Sequence, residues 1–195
     1  FAGLRISEND EYIIASTGLY EYDYKYFILD RKGQKILPNP FQKVKHLFED
    51  LFYVNNKSIH NVINQKGEVI IPDCDTNVNS ICQKYIVQLY KDTLQIINKK
   101  GKVMLSIKDG QIPIDIYTKF FRVKVGNITS IYNIDLVKLY EFEGDDIYVQ
   151  NGYTNSDECI VSESYNRKSN LVSKDGEILL TTDGKIEGMA TYEAY

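Results

Sequence analysis

The chain has 195 residues and a formal net charge of −4, a length that suits one substantial domain or one array of small repeats. No apolar run approaches the roughly 20 residues of a membrane-spanning helix, and no broad basic field suits nucleic acid, so we expect neither membrane nor nucleic acid as a partner. Cys74, Cys82 and Cys159 are odd in number and lack disulfide or metal-site spacing. These features predict a reducing, cytoplasmic location with no metal and no cofactor.

A short turn pattern recurs along the chain. Each copy has apolar residues, then Asp, Asn or Ser, then two residues and, in four copies, glycine. The copies end at Gly33, Gly67, Gly101, Leu136 and Gly176. The polar residue opens a type I turn, and glycine takes the left-handed conformation that closes a β-hairpin. Because Leu136 carries a β-carbon where glycine belongs, we expect the fourth turn to differ from the others.

A further strand-like run precedes each hairpin, and together they predict a three-stranded antiparallel β-meander. The runs are 12–15, 51–54, 85–88, 120–123 and 159–161. A short fourth strand is expected near 44–46 or 114–116. We therefore predict one repeat domain over 1–195. Its repeats are 1–40, 41–74, 75–108, 109–143 and 144–184, with 185–195 as a partial closing strand.

A lone meander cannot bury both faces, so the copies are expected to stack on one another. The predicted fold is all-β, built from repeated antiparallel β-meanders, and a five-bladed β-propeller is favoured over an open twisted β-repeat array. The C-terminal residues 185–195 resemble the first strand of a further unit, and 1–7 precede the first meander. The two termini could complete one blade between them.

The repeat resembles the bacterial WG-repeat family. Residues 50–54 and 187–190 are similar to the first element of its repeat, and 67–72 to the last. The Trp-Gly dipeptide is replaced throughout, so the resemblance is to a diverged relative. Its positions carry Tyr26-Phe27, His60-Asn61, Leu94-Gln95, Thr129-Ser130 and Ser169-Asn170. The resemblance implies a repeat architecture and an interaction module without a shared activity.

Alternating tyrosines form the first candidate binding surface. Tyr20, Tyr22, Tyr24 and Tyr26 would lie on one face of a strand. They predict either an aromatic platform for a sugar or a base, with Tyr22 and Tyr24 as binding residues, or a packing face between blades. The packing face is favoured because such faces need large side chains.

An acidic stretch forms the second candidate. Residues 141–146 lie in the longest interval between repeats, and insertions of this kind often carry function in repeat proteins. The predicted binding residues, for a basic or carbohydrate partner, are Glu143, Asp145, Asp146, Tyr153 and Asn155. A solvated loop is the favoured alternative. Residues 73–79 start like a calcium loop but lack its glycine and glutamate, which favours a solvated connection there as well.

No nucleophile, base or metal motif occurs in the sequence, so we expect no catalytic residues and no enzyme activity. A glycosidase would need a pair of central carboxylates, for which Asp30, Asp115 and Asp135 are the candidates, and Asp30 is better explained as a turn starter. A lectin would repeat the same pocket residues in each copy, and the connections differ. The favoured function is a non-catalytic scaffold that recognises another protein through rim loops, with carbohydrate binding and glycosidase activity as alternatives.

Overall fold

A computed structural model of the chain describes residues 3–6, 11–18, 24–111, 120–143, 147–151, 159–163, 168–173 and 175–183. These residues form β-strands, turns and bends, and none of them is helical. Accordingly, the described part of the chain contains no helical segment that could cross a membrane.

Within the described ranges, the strands form five antiparallel sheets, and strands that are neighbours in each sheet are also neighbours in the chain. The first sheet has β1 (Gly3–Ile6), β2 (Tyr12–Thr17) and β3 (Lys25–Asp30). The second has β4 (Lys43–Phe48), β5 (Leu51–Asn56), β6 (Ile59–Asn64) and β7 (Val69–Ile71). The third has β8 (Asn79–Ile81), β9 (Tyr85–Tyr90), β10 (Thr93–Asn98) and β11 (Val103–Lys108). The fourth has β12 (Gly110–Gln111), β13 (Phe120–Val125), β14 (Ile128–Asn133) and β15 (Lys138–Glu143). The fifth has β16 (Ile147–Asn151), β17 (Cys159–Glu163), β18 (Lys168–Val172) and β19 (Ile178–Asp183).

These sheets confirm the predicted class of repeated antiparallel β-meanders. The short strand expected near 44–46 is β4, and 112–119 lie outside the described residues. Residues 3–6 form β1 and pair with β2, so the first sheet has its own leading strand. The predicted closing strand 185–195 lies outside the described residues.

One hydrogen-bond pattern builds the turn of every sheet. The side-chain oxygen of the first turn residue accepts hydrogen bonds from the backbone N–H groups two and four residues later, at 2.8–3.2 Å. Its backbone N–H and C=O groups also bond across the turn. The five residues in this role are Asp30, Asn64, Asn98, Asn133 and Ser173. Short polar side chains favour such turns because they satisfy backbone donors locally.

The fourth turn does not differ from the others, and our expectation for Leu136 was wrong. Leu136 has a φ of +64°, in the left-handed region, and the glycines at the equivalent positions have φ of +77° to +87°. Its N–H donates to the carbonyl oxygen of Asn133 at 3.0 Å, the same bond that Gly101 makes to Asn98 at 2.9 Å. The hydrogen bonds set by Asn133 hold the turn, and leucine adopts the conformation that they require.

Leu136→Gly is expected to be more stable than Leu136→Ala by about 1 kcal/mol, because alanine keeps the left-handed strain that glycine relieves. Urea unfolding of the two purified variants measures the difference, and both lack the leucine side chain, so its packing cancels. Equal stability of the two variants would show that this turn stores no backbone strain.

The chain divides into two compact units. The first comprises Phe1–Lys91 and Gln95–Ser106, and the second comprises Asp92–Leu94 and Ile107–Tyr195. The single domain over 1–195 stays a prediction.

Within the first unit, the second sheet is buried on both faces. Phe52 and Val54 belong to a core cluster with Tyr12 and Ile28 of the first sheet. Tyr53, on the opposite face of β5, belongs to another cluster that includes residues of the third sheet. Alternate side chains of a strand point to opposite faces, so one strand serves two cores. This stacking supplies the burial that a single meander lacks.

Candidate functional site

The predicted tyrosine face is described at two of its four positions. The rings of Tyr24 and Tyr26 pack edge to face, with centroids 6.2 Å apart, and both residues are half-buried. The backbone N–H of Tyr26 donates to the carbonyl oxygen of Phe41 at 2.7 Å. Tyr20 and Tyr22 lie outside the described residues. The two described rings therefore contact each other, and their role in binding stays a prediction.

The described carboxylates of the acidic stretch interact with neighbouring side chains. Glu143 is the last residue of β15, and its Oε1 accepts a hydrogen bond from Asn127 Nδ2 at 3.4 Å. Glu141 forms an ion pair with Lys138 at 2.8 Å and accepts a hydrogen bond from Ser130, and both interactions lower the pKa of its carboxyl group. The other predicted binding residues, Asp145, Asp146, Tyr153 and Asn155, lie outside the described residues.

Side-chain oxygen atoms of the segment 73–79 accept hydrogen bonds from other groups of the chain. Asp75 Oδ1 accepts a hydrogen bond from the backbone N–H of Asn77 at 2.7 Å, and Lys45 Nζ donates to Asn79 Oδ1. In the part of the chain that the structure describes, no group of three or more His, Cys, Asp or Glu residues could hold a metal ion.

A concave surface that the sequence did not predict lies in the first unit. We call it the acidic pocket, with a volume of about 450 Å³, and define it by Glu11, Tyr12, His46, Glu49, Asp50, Gln65 and Gln83. Tyr12 opens β2, and His46 lies in β4. Glu49 and Asp50 form the turn before β5. The pocket therefore lies where turns and strand ends of successive sheets meet.

The rings of Tyr12 and His46 line the acidic pocket, and the buried ring of Phe52 packs against both. The ring centroid of His46 lies 5.6 Å from that of Tyr12 and 5.2 Å from that of Phe52. His46 Nε2 lies 2.8 Å from the carbonyl oxygen of Glu49, and since a carbonyl oxygen only accepts, Nε2 carries the proton. The hydroxyl group of Tyr12 donates to Gln65 Oε1 at 3.3 Å. These bonds hold the rings in one arrangement.

The acidic pocket favours positive charge. Burial, with the charges of Glu11 and Asp50, raises the pKa of Tyr12, so its phenol stays protonated at neutral pH. Lys99 Nζ lies 2.8 Å from Glu49 Oε2, and this carboxylate raises the pKa of the lysine. A carboxylate of the pocket therefore already accepts an ammonium group of the same chain.

A second concave surface, the apolar groove, lies between the first and second sheets. Its volume is about 380 Å³. One wall is the segment 37–41. Its last residue, Phe41, pairs with Tyr26 of β3 through an isolated bridge, and Lys35, just before the segment, pairs with Leu29. The other wall consists of residues of β5, β6 and β7. The lining includes the apolar residues Leu37, Phe41, Ile59, Ile63 and Val69 and the amides Asn39, Asn56 and Asn61.

Several other groups with potential chemistry in the first unit are hydrogen-bonded within the fold or buried in it. Tyr53 is buried, and its hydroxyl group lies 2.7 Å from His60 Nδ1, which Asn55 Nδ2 also approaches at 3.0 Å. Asn55 Nδ2 also lies 3.2 Å from His60 Nε2, so the imidazole ring is held by two neighbouring side chains. Burial raises the pKa of Cys74 and of Cys82 to about 11. Each thiol is therefore protonated at neutral pH and is a poor nucleophile.

Comparisons with known proteins indicate the fold alone. No protein-family model matches the sequence, and no curated protein matches it. The solved structure of Kluyveromyces lactis Hsv2 is 13% identical, with 94% of this chain and 70% of that chain covered and a TM-score of 0.52. A second structure of this Hsv2, with a complete loop 6CD, is 14% identical over 91% of this chain and 63% of that chain, with a TM-score of 0.51. A structure of a eukaryotic initiation factor is 10% identical over 92% and 64% of the two chains, also with a TM-score of 0.51.

Hsv2 is a β-propeller, so the likeness supports a propeller-like repeated β fold for this chain. The chain spans less than two thirds of the length of two of these three structures. Sequence identity this low indicates a shared architecture but does not indicate a shared activity.

The sequence did not identify the residues of the acidic pocket as a site. Glu49 and Gln83 lie at equivalent places before β5 and β9, and both have a φ of +46°. Their spacing equals the repeat period of the central copies, and this periodicity could have identified the two positions as equivalent. Tyr12 and Gln65 come from other parts of the repeat, and no local pattern connects them to Glu49.

Proposed function

We propose that the chain is a non-catalytic protein-interaction scaffold, a diverged relative of the WG-repeat type, that works in the cytoplasm and recognises another protein through the turns at one end of its sheets. The observation that carries the proposal is the acidic pocket, which Glu11, Glu49 and Asp50 line together with Tyr12 and His46. Carboxylates beside aromatic rings suit lysine and arginine side chains, which gain from both the charge and the ring faces.

The proposal that the chain is non-catalytic rests on the hydrogen bonds and the burial of its potentially reactive side chains. Asp30, a candidate glycosidase carboxylate, accepts the backbone N–H groups of Lys32 and Gln34 at 2.9 and 2.8 Å. It serves a turn, as Asn64 and Asn98 do in their copies. The thiols of Cys74 and Cys82 are buried and protonated. None of these groups is poised for proton transfer or nucleophilic attack.

Capture of a basic protein from a lysate of the source cells tests this proposal. The wild-type chain is expected to retain a protein partner, and Glu49→Gln with Asp50→Asn is expected to retain less than about a tenth as much, because the pocket loses two carboxylates. Asp175→Asn with Glu177→Gln removes the same charge from exposed positions elsewhere and should retain the wild-type amount.

A glycan array is the second arm of the experiment. Clear glycan binding without a protein partner would overturn the scaffold and favour the lectin-like alternative. Retention of the same partner by the pocket variant would also contradict the proposal, since the acidic pocket would then not contribute to binding.

A further inference from the structure

We propose that the apolar groove is a second docking surface, which binds an extended, uncharged peptide segment of a partner protein along β6. None of the described residues that line it carries a formal charge. Burying a charged side chain of a partner there would cost desolvation without a compensating ion pair. The groove therefore selects an uncharged segment and differs from the acidic pocket in the chemistry of its ligand.

The walls of the groove expose apolar surface at its two ends. Ile59 and Val69 have 54% and 52% of their surface exposed. Leu37 and Phe41 face them from the segment 37–41, and Ile63 lies buried deeper in the groove. Covering exposed apolar side chains of a concave surface with an apolar ligand is favourable, because it removes them from water.

The spacing of the groove fits a peptide strand. Ile59, Asn61 and Ile63 occupy alternate positions of β6 and so share one face. Alternate residues of a strand lie about 6.6 Å apart, and an extended peptide has the same period. Val69 pairs with Ile63, so the exposed side chains of Ile59 and Val69 lie about 13 Å apart along the strand direction, which matches four or five residues of an extended ligand.

Amide side chains supply the polar part of the groove. Asn61 Oδ1 accepts the backbone N–H of Asp73 at 3.1 Å, which orients the amide. Within the described ranges of the chain, no side-chain hydrogen bond uses Asn61 Nδ2 or the amides of Asn39 and Asn56. Carboxamides can pair with both the N–H and the C=O of a peptide backbone. Three such groups beside apolar walls suit a main-chain ligand with apolar side chains.

A sugar fits this groove less well than a peptide does. Sugar rings stack on flat aromatic faces, and Phe41 is the one aromatic side chain among the described lining residues. Aliphatic side chains make up the rest of the apolar surface, and these pack against other aliphatic side chains. The groove and the acidic pocket consist of different residues, so binding at each surface can be tested separately.

A phage-displayed library of random heptapeptides, panned on the purified full chain, tests the inference. Enrichment of uncharged peptides with apolar residues at alternate positions is expected. The most enriched peptide, made with blocked ends and a fluorescent label, is then titrated by fluorescence polarisation. A rise in salt from about 50 to about 500 mM should change its Kd less than about twofold, because no ion pair is formed.

Matched variants locate the binding. Ile59→Arg places a charge in the groove at an exposed position and should weaken binding at least about tenfold. Ile178→Arg makes the same change at the first residue of β19, which is 52% exposed, and should bind as the wild type does. Glu49→Gln with Asp50→Asn should also bind as the wild type does, which separates this surface from the acidic pocket.

Three results would overturn the inference. They are failure to enrich any peptide, enrichment of charged peptides whose binding falls with salt, and equal binding by Ile59→Arg and Ile178→Arg. Glycan-array binding that Ile59→Arg abolishes would assign the groove to a carbohydrate instead.

Discussion

Gly101→Ala is expected to destabilise the chain by about 3 kcal/mol, more than the same change at any turn glycine with open space around it. Gly101 has a φ of +80°, where a β-carbon costs about 1–2 kcal/mol. A β-carbon there would also lie 2.6 Å from the carbonyl oxygen of Ile70, in the outer strand of the second sheet. Backbone cannot move aside as a side chain does, so the overlap adds about 1–3 kcal/mol.

Gly33→Ala is the matched control for this prediction. Gly33 has a φ of +77°, and a β-carbon there would meet nothing within 4 Å. Only the backbone strain remains, and the expected loss is about 1 kcal/mol. Urea unfolding followed by circular dichroism compares the two variants. Equal losses would show that the third turn does not pack against the second sheet as described.

Phe52→Ala is expected to lower the free energy of unfolding by about 3–5 kcal/mol, because it removes a large, fully buried side chain. Phe52 is 0% exposed. Its ring packs edge to face on Tyr12, with centroids 5.0 Å apart, and shares a core cluster with Ile28 and Ile63. Removing the ring leaves a cavity between the first and second sheets, in addition to the lost burial.

Thermal or urea unfolding measures this loss, with Tyr90→Ala as the control. Tyr90 ends β9 and is 43% exposed, so its truncation is expected to cost less than about 1 kcal/mol. The ring of Phe52 also supports His46 in the acidic pocket, so Phe52→Ala should weaken capture of a basic partner as well. A change in stability below about 1 kcal/mol would contradict the packing between the two sheets.

The turns were the most predictable part of the fold. Asp30, Asn64, Asn98, Asn133 and Ser173 were each identified as turn starters, and each accepts the same pair of backbone hydrogen bonds. These bonds join residues two and four positions apart, so the sequence pattern contains the whole interaction. The expectation for Leu136 was wrong because it took into account the strain of a β-carbon at positive φ. It did not take into account the hydrogen bonds that Asn133 contributes to the turn.

The candidate surfaces were far less predictable. The acidic pocket joins Glu11 to residues as distant as Gln83, and the apolar groove joins Leu37 to Val69. The tyrosine alternation and the acidic stretch attracted attention because they are contiguous in the sequence. A contiguous run shows which side chains share a strand face, but it does not show which strands are neighbours across a groove.

The amino-acid sequence by itself determined the all-β class, the repeated meander and the positions of the five hairpin turns that begin with Asp, Asn or Ser. Each of these depends on backbone hydrogen bonds and alternation over a few residues, which the local composition controls. Only the tertiary structure decided that β5 serves two cores, that Gly101 contacts the backbone at Ile70, and that two concave surfaces of different charge lie in the first unit. Those features depend on the stacking of one sheet on the next, and residues about one repeat apart meet there because each meander must bury its apolar faces.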